Sequence, residues 1–197
     1  QLLLDVSEIR NNDAASGVQR VVRSYLQALL QSPPKGFQVI PVYATMEEGY
    51  CYAWQLARTY GAILPEGLSQ QSLEDQSPIH WQRGDIFFAL DMQHHVQLNH
   101  QHFFRQLRAD GVVVKFLVHD LLPIQLADLF LDNDAKQTHE ALLSLIAATD
   151  GAICVSKATA DAFDKWIIDN NVFRSPGFRM SWVHNGGDLD GSKPSAG

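Results

Sequence analysis

The chain has 197 residues, of which 46% are hydrophobic and 19% charged, so it has enough apolar material for one domain with a buried core. Fifteen Lys and Arg against 22 Asp and Glu leave a net charge of -7, which argues against a general nucleic-acid binder but not against a ligand held by a few local donors. No apolar run approaches the roughly 20 residues of a membrane-spanning helix, and no signal-peptide pattern opens the sequence. Cys51 and Cys154 lie far apart, which favours a packing role in a reducing, cytoplasmic compartment.

Short apolar runs alternate with helical patterns, in the order typical of an α/β protein. The predicted strands cover 2–6, 38–43, 86–90, 112–118, 151–155 and 179–183. The predicted helices cover 18–30, 97–109, 136–148 and 157–168. Because runs such as 112–118 are apolar almost throughout, they suit strands covered on both faces, and we predict a doubly wound, mostly parallel Rossmann-like sheet.

Two regions depart from this alternation. The segment 44–83 mixes aromatic residues with polar, Gln- and Ser-rich stretches, and we interpret it as an insertion with a short helix at 52–60 and a mobile loop at 66–79. From Gly186 onwards the composition is typical of a linker, with an ordinary disordered terminus as the alternative. The predicted organisation is one domain over 1–189, followed at 190–197 by the start of a linker.

The first strand leads through Asp5-Val6-Ser7-Glu8 and Asp13 into Ser16-Gly17-Val18, where a helix begins. Ser16 is a candidate N-cap, and Gly17 lets the backbone approach a ligand closely. In an open α/β sheet such a turn lies at the carboxyl edge of the strands, where the N–H groups of a helix start attract phosphate or another anion. We therefore predict Ser16 and Gly17 as anion-binding residues, with a plain tight connection as the alternative.

Two further strand ends carry ionisable residues. Strand 86–90 delivers Asp91 to the carboxyl edge, where its carboxylate could accept a sugar hydroxyl, act as a base, or cap the next segment. Strand 112–118 runs directly into His119 and a loop that Pro123 shapes. An imidazole there can donate to a phosphate or a hydroxyl near neutral pH, so we predict a functional role for His119, with a core histidine bonded to a carbonyl as the alternative.

The last two strand ends offer anion-binding and turn chemistry. Ser156 ends a strand and begins a helix, so it is a predicted N-cap, and the adjacent Lys157 together with the helix N–H groups suits an anion. Asn185 precedes two glycines that favour a turn, with a ligand contact as the alternative. We include Ser156, Lys157 and Asn185 among the candidate substrate-binding residues.

A histidine group precedes and enters the helix at 97, and it contains His94, His95, His100 and His102. None of its spacings matches His-Glu-x-x-His and no cysteine lies nearby, so we predict no metal site. The chain also lacks a Gly-x-Ser-x-Gly elbow, a phosphate-binding loop that ends in Gly-Lys-Ser/Thr, and Cys-x-x-Cys. The corresponding hydrolase, nucleotide-binding and thiol redox chemistries are therefore not expected.

Taken in order, these motifs resemble the N-terminal domain of GT-B glycosyltransferases, in particular the retaining group that includes bacterial mannosyltransferases of O-antigen and polysaccharide assembly. The resemblance covers most of 2–189, with Ser16 in place of the commoner threonine. It rests on Asp5-Val6-Ser7 with Ser16-Gly17-Val18-Gln19-Arg20-Val21-Val22-Arg23, on Gly84-Asp85 with Leu90-Asp91, on His119-Asp120-Leu121-Leu122-Pro123, on Val155-Ser156-Lys157-Ala158-Thr159 and on His184-Asn185-Gly186-Gly187-Asp188.

The resemblance implies a first domain that mainly takes the acceptor and faces, across a cleft, a second domain that binds the nucleotide sugar. The donor-binding glutamates of such enzymes belong to that second domain, so we expect a missing C-terminal domain and an isolated chain that is inactive. The resemblance further implies that Gly17 approaches the donor diphosphate and that His119 faces the transferred sugar. Because N–H groups can stabilise the departing diphosphate, no metal is expected.

The implied function is retaining transfer of a hexose, mannose from a GDP donor, to a growing polysaccharide or lipid-linked glycan. Two alternatives stay open: a non-catalytic glycan-binding or assembly module, and a GT-B sugar-nucleotide epimerase. The implied partners are the nucleotide sugar, the glycan acceptor and the missing domain, and no nucleic acid. We predict a cytoplasmic protein, with Arg10, Arg20 and Arg23 near the first helix as a candidate peripheral contact with the inner membrane.

Overall fold

The strands of the chain assemble into one twisted sheet. The computed structural model describes residues 1–12, 14, 16–62, 77–129 and 134–185. Within these residues the strands are β1 (Leu2–Asp5), β2 (Val39–Tyr43), β3 (Cys51–Tyr52), β4 (Ile86–Ala89), β5 (Val113–Val118), β6 (Gly151–Cys154) and β7 (Arg179–Trp182). The helices are α1 (Ser7–Asn11), α2 (Gly17–Gln31), α3 (Trp54–Thr59), α4 (His94–Asn99), α5 (Gln101–Ala109), α6 (Leu122–Gln125), α7 (Ala135–Ala147) and α8 (Lys157–Asp169), with a 3₁₀ turn at Ala127–Leu129.

The strand order is β3-β2-β1-β4-β5-β6-β7. All neighbours are parallel except β3, which runs antiparallel to β2. After β1 the chain moves to one side of the sheet, and at β4 it returns to the other side of β1, so the order reverses between these two strands. In open α/β sheets ligands bind outside the carboxyl ends of the strands at such a reversal. The predicted doubly wound, mostly parallel sheet is confirmed.

Apolar side chains fill both faces of the sheet. On one face, Val22 and Leu26 of α2 pack with Leu4 of β1. On the other face, α5, α7 and α8 contribute their apolar sides, which include Phe104, Leu142 and Phe163. This division follows from the topology, because right-handed crossovers place helices on opposite faces when the strand order reverses. No helix among the described residues is long and apolar enough to cross a membrane.

The six predicted strands are confirmed, with small differences at their ends, and so are the helices predicted at 18–30, 136–148 and 157–168. The helix predicted at 97–109 is instead two helices, α4 and α5, which meet at His100. The His100 ring donates from Nε2 to the carbonyl of Thr45 at 2.7 Å. This tertiary hydrogen bond anchors the junction, and the apolar period that predicts one helix contains no sign of it.

The predicted insertion at 44–83 contributes to the core as well as to the surface. Its short helix is confirmed as α3, and Tyr50, Trp54 and Ile79 belong to the larger apolar cluster. Most of the predicted loop at 66–79 lies outside the described residues, as do Asp13 and the predicted linker at 190–197. Four short elements were not predicted: β3, α1, α6 and the 3₁₀ turn, each five residues or fewer in length.

Candidate functional site

The carboxyl edge of the sheet gathers the strand ends that the sequence singles out. Since β1, β4, β5 and β6 are parallel neighbours, the residues that follow them meet at one edge. A cleft of about 340 Å³ lies there and takes its walls from the segments after β1, β4 and β5 and from the start of α7. Its lining consists of Glu8, Met92, Gln93, His94, His95, Pro123, Ala135 and Thr138. A carboxylate, an amide, two imidazoles and a hydroxyl give this cleft the hydrogen-bonding groups that a polyhydroxylated ligand requires.

Ser16 begins α2 with a reciprocal cap. Its Oγ accepts a hydrogen bond from the Gln19 backbone N–H at 3.2 Å, and the Gln19 side chain accepts one from the Ser16 N–H at 3.2 Å. The Gln19 amide also donates to the Asn12 carbonyl at 2.7 Å, which fixes the connection from α1. The predicted N-cap is therefore confirmed, and the start of α2 is held in one geometry.

Gly17 is the first residue of α2, and no neighbouring atom in the described residues explains its lack of a side chain. A Cβ built at this position meets nothing within 4 Å, and its φ lies outside the left-handed region. Neither packing nor backbone conformation therefore requires glycine here. Among the described residues, the space at this Cβ position is open.

Asp91 caps a helix, although not the segment that follows it. Its Oδ2 accepts hydrogen bonds from the backbone N–H groups of Glu8 and Ile9 at 3.0 and 3.2 Å, at the start of α1. The Asp91 side chain is buried, and its Oδ1 has no hydrogen-bond partner among the residues that the structure describes. Burial and the charge of Asp5 raise the pKa of Asp91 to about 8. A direct contact of Asp91 with substrate stays a prediction.

Asp5, at the end of β1, is the centre of a second buried polar cluster. Its Oδ1 accepts hydrogen bonds from the backbone N–H and the Oγ of Ser7 at 3.0 and 2.5 Å. Its Oδ2 accepts hydrogen bonds from the Tyr50 hydroxyl at 2.9 Å and from Gln97 Nε2 at 3.1 Å. Burial raises the pKa of Asp5, and these donors oppose the rise. The cluster ties β1 to α4 and to the segment before β3.

His119 lies directly after β5 and is buried, with 7% of its surface exposed. Its Nε2 donates to the carbonyl of Leu90 at 2.8 Å, as the alternative of a core histidine requires. Burial lowers the pKa of His119, so the ring is neutral at pH 7 and its Nδ1 is an acceptor. A donor role for this ring toward substrate is therefore limited to its protonated form. Its predicted contact with the transferred sugar stays a prediction.

His94 lines the cleft and is hydrogen-bonded to a second histidine. Its Nε2 lies 2.8 Å from Nδ1 of His139, whose Nε2 donates to the Asp120 carbonyl at 3.2 Å. The backbone of Met92 also hydrogen-bonds to the His94 ring. Burial, together with His139 and His95, lowers the pKa of His94 to about 4. The sequence places both histidines in polar stretches without indicating that they pair.

Ser156 and Lys157 begin α8 at the same edge of the sheet. Ser156 Oγ accepts a hydrogen bond from the Thr159 backbone N–H at 3.0 Å, which confirms the predicted N-cap. The Lys157 ammonium group is exposed and lies 2.6 Å from Asp161 Oδ2, one helical turn along. Such exposed pairs are weak, so the pairing leaves the ammonium group competent to bind an anion. Anion binding here stays a prediction.

Asn185 connects the end of the sheet to α2. The Tyr25 hydroxyl donates to Asn185 Oδ1 at 3.2 Å, across 160 positions of sequence. The residue therefore has a structural partner, and its predicted substrate contact stays a prediction. Through this bond the segment after β7 is tied to the helix that Gly17 begins.

The structure thus brings some predicted site residues into direct connection and leaves others apart. Asp91 and His119 are connected only through Leu90, the residue before Asp91, whose carbonyl accepts from the His119 ring. Residues that line the cleft but were not predicted as site residues include Glu8, Gln93, His94 and Thr138. Glu8 stands next to the Asp5-Val6-Ser7 motif, which was a usable signal. Thr138 had none, because only the fold places the start of α7 at this edge.

Curated relatives match the whole chain. Three serotype-specific mannosyltransferases WbdA from Escherichia coli do so, one at 33% identity over 204 residues and two at 32% identity over 199 residues. Each match covers 100% of this chain and 23% of the relative, so the chain spans about a quarter of the length of these relatives. No family model matches the chain, and no solved structure matches it. The chain is therefore similar over its whole length to a part of these longer mannosyltransferases, in agreement with the resemblance of its motifs.

Proposed function

We propose that the protein containing this chain is a retaining mannosyltransferase that moves mannose from a nucleoside-diphosphate sugar, GDP-mannose, to a growing glycan. In this proposal the chain supplies the acceptor side of the active site and a donor-phosphate contact, and a second domain supplies the remaining donor contacts. The mannosyltransferase relatives support the sugar, and the resemblance of the motifs supports the division of roles. The observation that carries the proposal is Gly17 at the start of α2.

The start of α2 suits a diphosphate for a physical reason. The first N–H groups of a helix point out of its N-terminus, where the aligned peptide dipoles favour an anion. α2 is 15 residues long, and Ser16 fixes its first turn. A Cβ at Gly17 would meet no neighbouring atom within 4 Å among the described residues, yet it would stand in the space that an approaching phosphate needs.

The cleft beside the reversal point suits the acceptor. Glu8 on α1 provides a carboxylate that can accept from sugar hydroxyls, and Gln93 and Thr138 can both donate and accept. Its volume of about 340 Å³ is sufficient for a sugar-sized ligand. We infer that the terminal sugar of the glycan acceptor occupies this cleft. We further propose that this acceptor is lipid-linked and that Arg20 contributes to a peripheral contact with the inner membrane.

The proposed chemistry places the developing negative charge of the departing nucleoside diphosphate at α2. Helix N–H groups stabilise this charge without reorganising during the reaction. The proposal therefore includes transfer without an added divalent metal. Neutral His119 offers Nδ1 as an acceptor for a sugar hydroxyl rather than a proton for the leaving group.

The deciding experiment compares Gly17→Ala with Gly49→Ala in the full-length protein. Gly49 is a matched control, because a Cβ there also meets nothing within 4 Å and its φ is not left-handed. We expect both variants to unfold at the wild-type temperature or above, while Gly17→Ala alone lowers mannose transfer from GDP-mannose to a mannosyl acceptor by on the order of 100-fold. Equal transfer by both variants would contradict the phosphate contact.

Product analysis separates the proposed transferase from its two alternatives. With acceptor present and divalent metal chelated, we expect a mannosylated product whose anomeric configuration matches that of the donor. An epimerase would convert the nucleotide sugar when no acceptor is present, and a binding module would retain acceptor without turnover. Either of these results would replace the proposal.

A further inference from the structure

The two buried carboxyl groups at the reversal point differ in the donors that surround them. Asp5 accepts four hydrogen bonds, which fill both of its oxygens. Within the described part of the chain Asp91 accepts two, both on Oδ2, while its buried Oδ1 has no partner there. Four donors aimed at one carboxyl group select its ionised form, because a proton on either oxygen would displace one of them. Since no donor among the described residues stabilises a negative charge on Asp91 Oδ1, the surroundings of Asp91 favour its neutral form more than those of Asp5 do.

We propose that Asp91 is a neutral carboxylic acid with its proton on Oδ1, that Asp5 is the ionised member of the pair, and that neutral Asp91 is the positioning residue that holds α1 and His119 at the candidate site. The positioning role rests on the proposed function, because that function makes this edge of the sheet the site. The proton on Oδ1 does not depend on it.

The charges around Asp91 agree with a neutral acid. The carboxyl groups that act on it, Asp5 from β1 and Glu8 from α1, are both acidic and disfavour a second negative charge. The Tyr50 hydroxyl, from the segment before β3, is committed to Asp5. The backbone N–H groups of α1 oppose this effect but are outweighed by burial, and the resulting pKa of about 8 leaves Asp91 protonated at pH 7.

Gln97 provides a second indication that the cluster contains an extra proton. Its Nε2 donates to Asp5 Oδ2 at 3.1 Å and to the backbone carbonyl of Asp91 at 2.9 Å, so the amide connects the Asp5 carboxylate to the Asp91 backbone. Its Oε1 is buried, and none of the described residues donates to it. The cluster thus holds two unpartnered acceptors when Asp91 is drawn as a carboxylate. A proton on Asp91 Oδ1 converts one of them into a donor.

The position of Asp91 explains what its neutrality achieves. Its Oδ2 fixes the first turn of α1, which presents Glu8 to the cleft. Its neighbour Leu90 accepts from the His119 ring at 2.8 Å. One short segment after β4 therefore holds the ends of both adjacent strands, β1 and β5. Ionisation of Asp91 would place a second buried negative charge near Asp5, and we expect this repulsion to outweigh the attraction between the carboxylate and the α1 N–H groups and to loosen α1.

Carboxyl ¹³C NMR of the 197-residue chain tests the proton directly. We expect one aspartate signal, assigned through its loss in Asp91→Asn, to titrate above pH 7. The signal lost in Asp5→Asn should have the chemical shift of an ionised carboxylate at pH 7. We also expect amide exchange at Glu8 and Ile9 to rise more than the intrinsic tenfold per pH unit as Asp91 ionises. Titration of Asp91 below pH 5 would overturn the inference.

Paired variants separate a positioning role from a merely structural one. Asp91→Asn keeps an acceptor for α1 and a donor in place of the acid proton, so we expect a wild-type urea midpoint at pH 6 and no loss of midpoint from pH 6 to pH 9. Asp91→Ala should lower the midpoint and shift the ¹⁵N signals of the His119 ring, and Asp91→Asn should restore both. Unchanged His119 signals in a folded Asp91→Ala chain, or Asp91→Asn as damaging as Asp91→Ala, would refute the positioning role. None of these measurements needs transfer activity, so their failure and that of the proposed function are distinguishable.

Discussion

At the scale of the residue, His119 combines a structural bond with a proposed functional atom. Its Nε2 donates to the Leu90 carbonyl, and its Nδ1 carries the lone pair that can accept a hydrogen bond in the neutral ring. A glutamine at this position retains an N–H for the Leu90 carbonyl but has no counterpart of Nδ1. The two roles can therefore be removed one at a time.

We expect His119→Ala to lower the free energy of unfolding by about 2 kcal/mol, because it removes a buried ring and its hydrogen bond. His119→Gln should recover most of this loss in urea unfolding. In mannose transfer by the full-length protein, both variants should stay on the order of 100-fold below wild type. Full recovery of transfer by glutamine would mean that the residue is a core histidine only.

His94 gives a pH-dependence prediction. Its pKa is about 4 in the folded chain and near 6.5 in an unfolded one, so the unfolded state binds more protons between these values. The free energy of unfolding should therefore fall as pH decreases from 6.5 to 4. His94→Gln should flatten this part of the urea-unfolding profile by about 1 kcal/mol after allowance for its partial exposure. A profile of unchanged slope would contradict the buried histidine pair.

At the scale of the element, α2 depends on its first turn. Ser16→Ala removes the acceptor for the Gln19 N–H and should cost about 1 kcal/mol of unfolding free energy. Ser16→Thr keeps that acceptor and should be close to neutral. Hydrogen exchange of the amides in the first turn of α2 is the measurement, and equal protection in both variants would contradict the capping box.

Element type was predictable wherever the hydrophobic period was long enough. The strand predicted at 112–118 and the helix predicted at 157–168 are confirmed. The apolar run of the strand and the helical period of the helix each extend over most of the element. The break at His100 was not predictable, because its cause is a hydrogen bond to Thr45, 55 positions earlier. α1 was missed because its five residues show no helical period, and its N-terminal cap comes from Asp91.

The candidate site was predictable to a similar extent. Strand ends in a parallel sheet share one edge, so Asp91 and His119 could be placed there from sequence. Their partners could not: the α1 amides and the Leu90 carbonyl are chosen by three-dimensional packing. For the same reason the sequence gives no indication of the His94–His139 pair.

At the scale of the whole molecule, the carboxyl edge of the sheet holds the candidate site, whereas the amino edge is closely packed. At the amino edge, a Cβ on Gly151 would lie 2.4 Å from the Arg179 carbonyl oxygen of the adjacent strand β7. Gly151→Ala should therefore lower the unfolding free energy by about 2 kcal/mol, measured in urea, because the backbone must move. Gly49→Ala is again the neutral control. A wild-type midpoint for Gly151→Ala would show that β6 and β7 separate without cost.

The central place of β1 has a consequence for how the chain folds. Leu2 pairs with Val39 on one side and with Ile86 on the other, so β1 keeps one open edge until β4 has been synthesised, more than 80 positions later in the chain. Closing such distant contacts is slow, and an unpaired strand edge invites association with other chains in the meantime. A nascent chain that has not yet emerged as far as β4 should therefore need chaperone protection, and ribosome-bound chains halted before and after residue 90 should differ sharply in protease resistance.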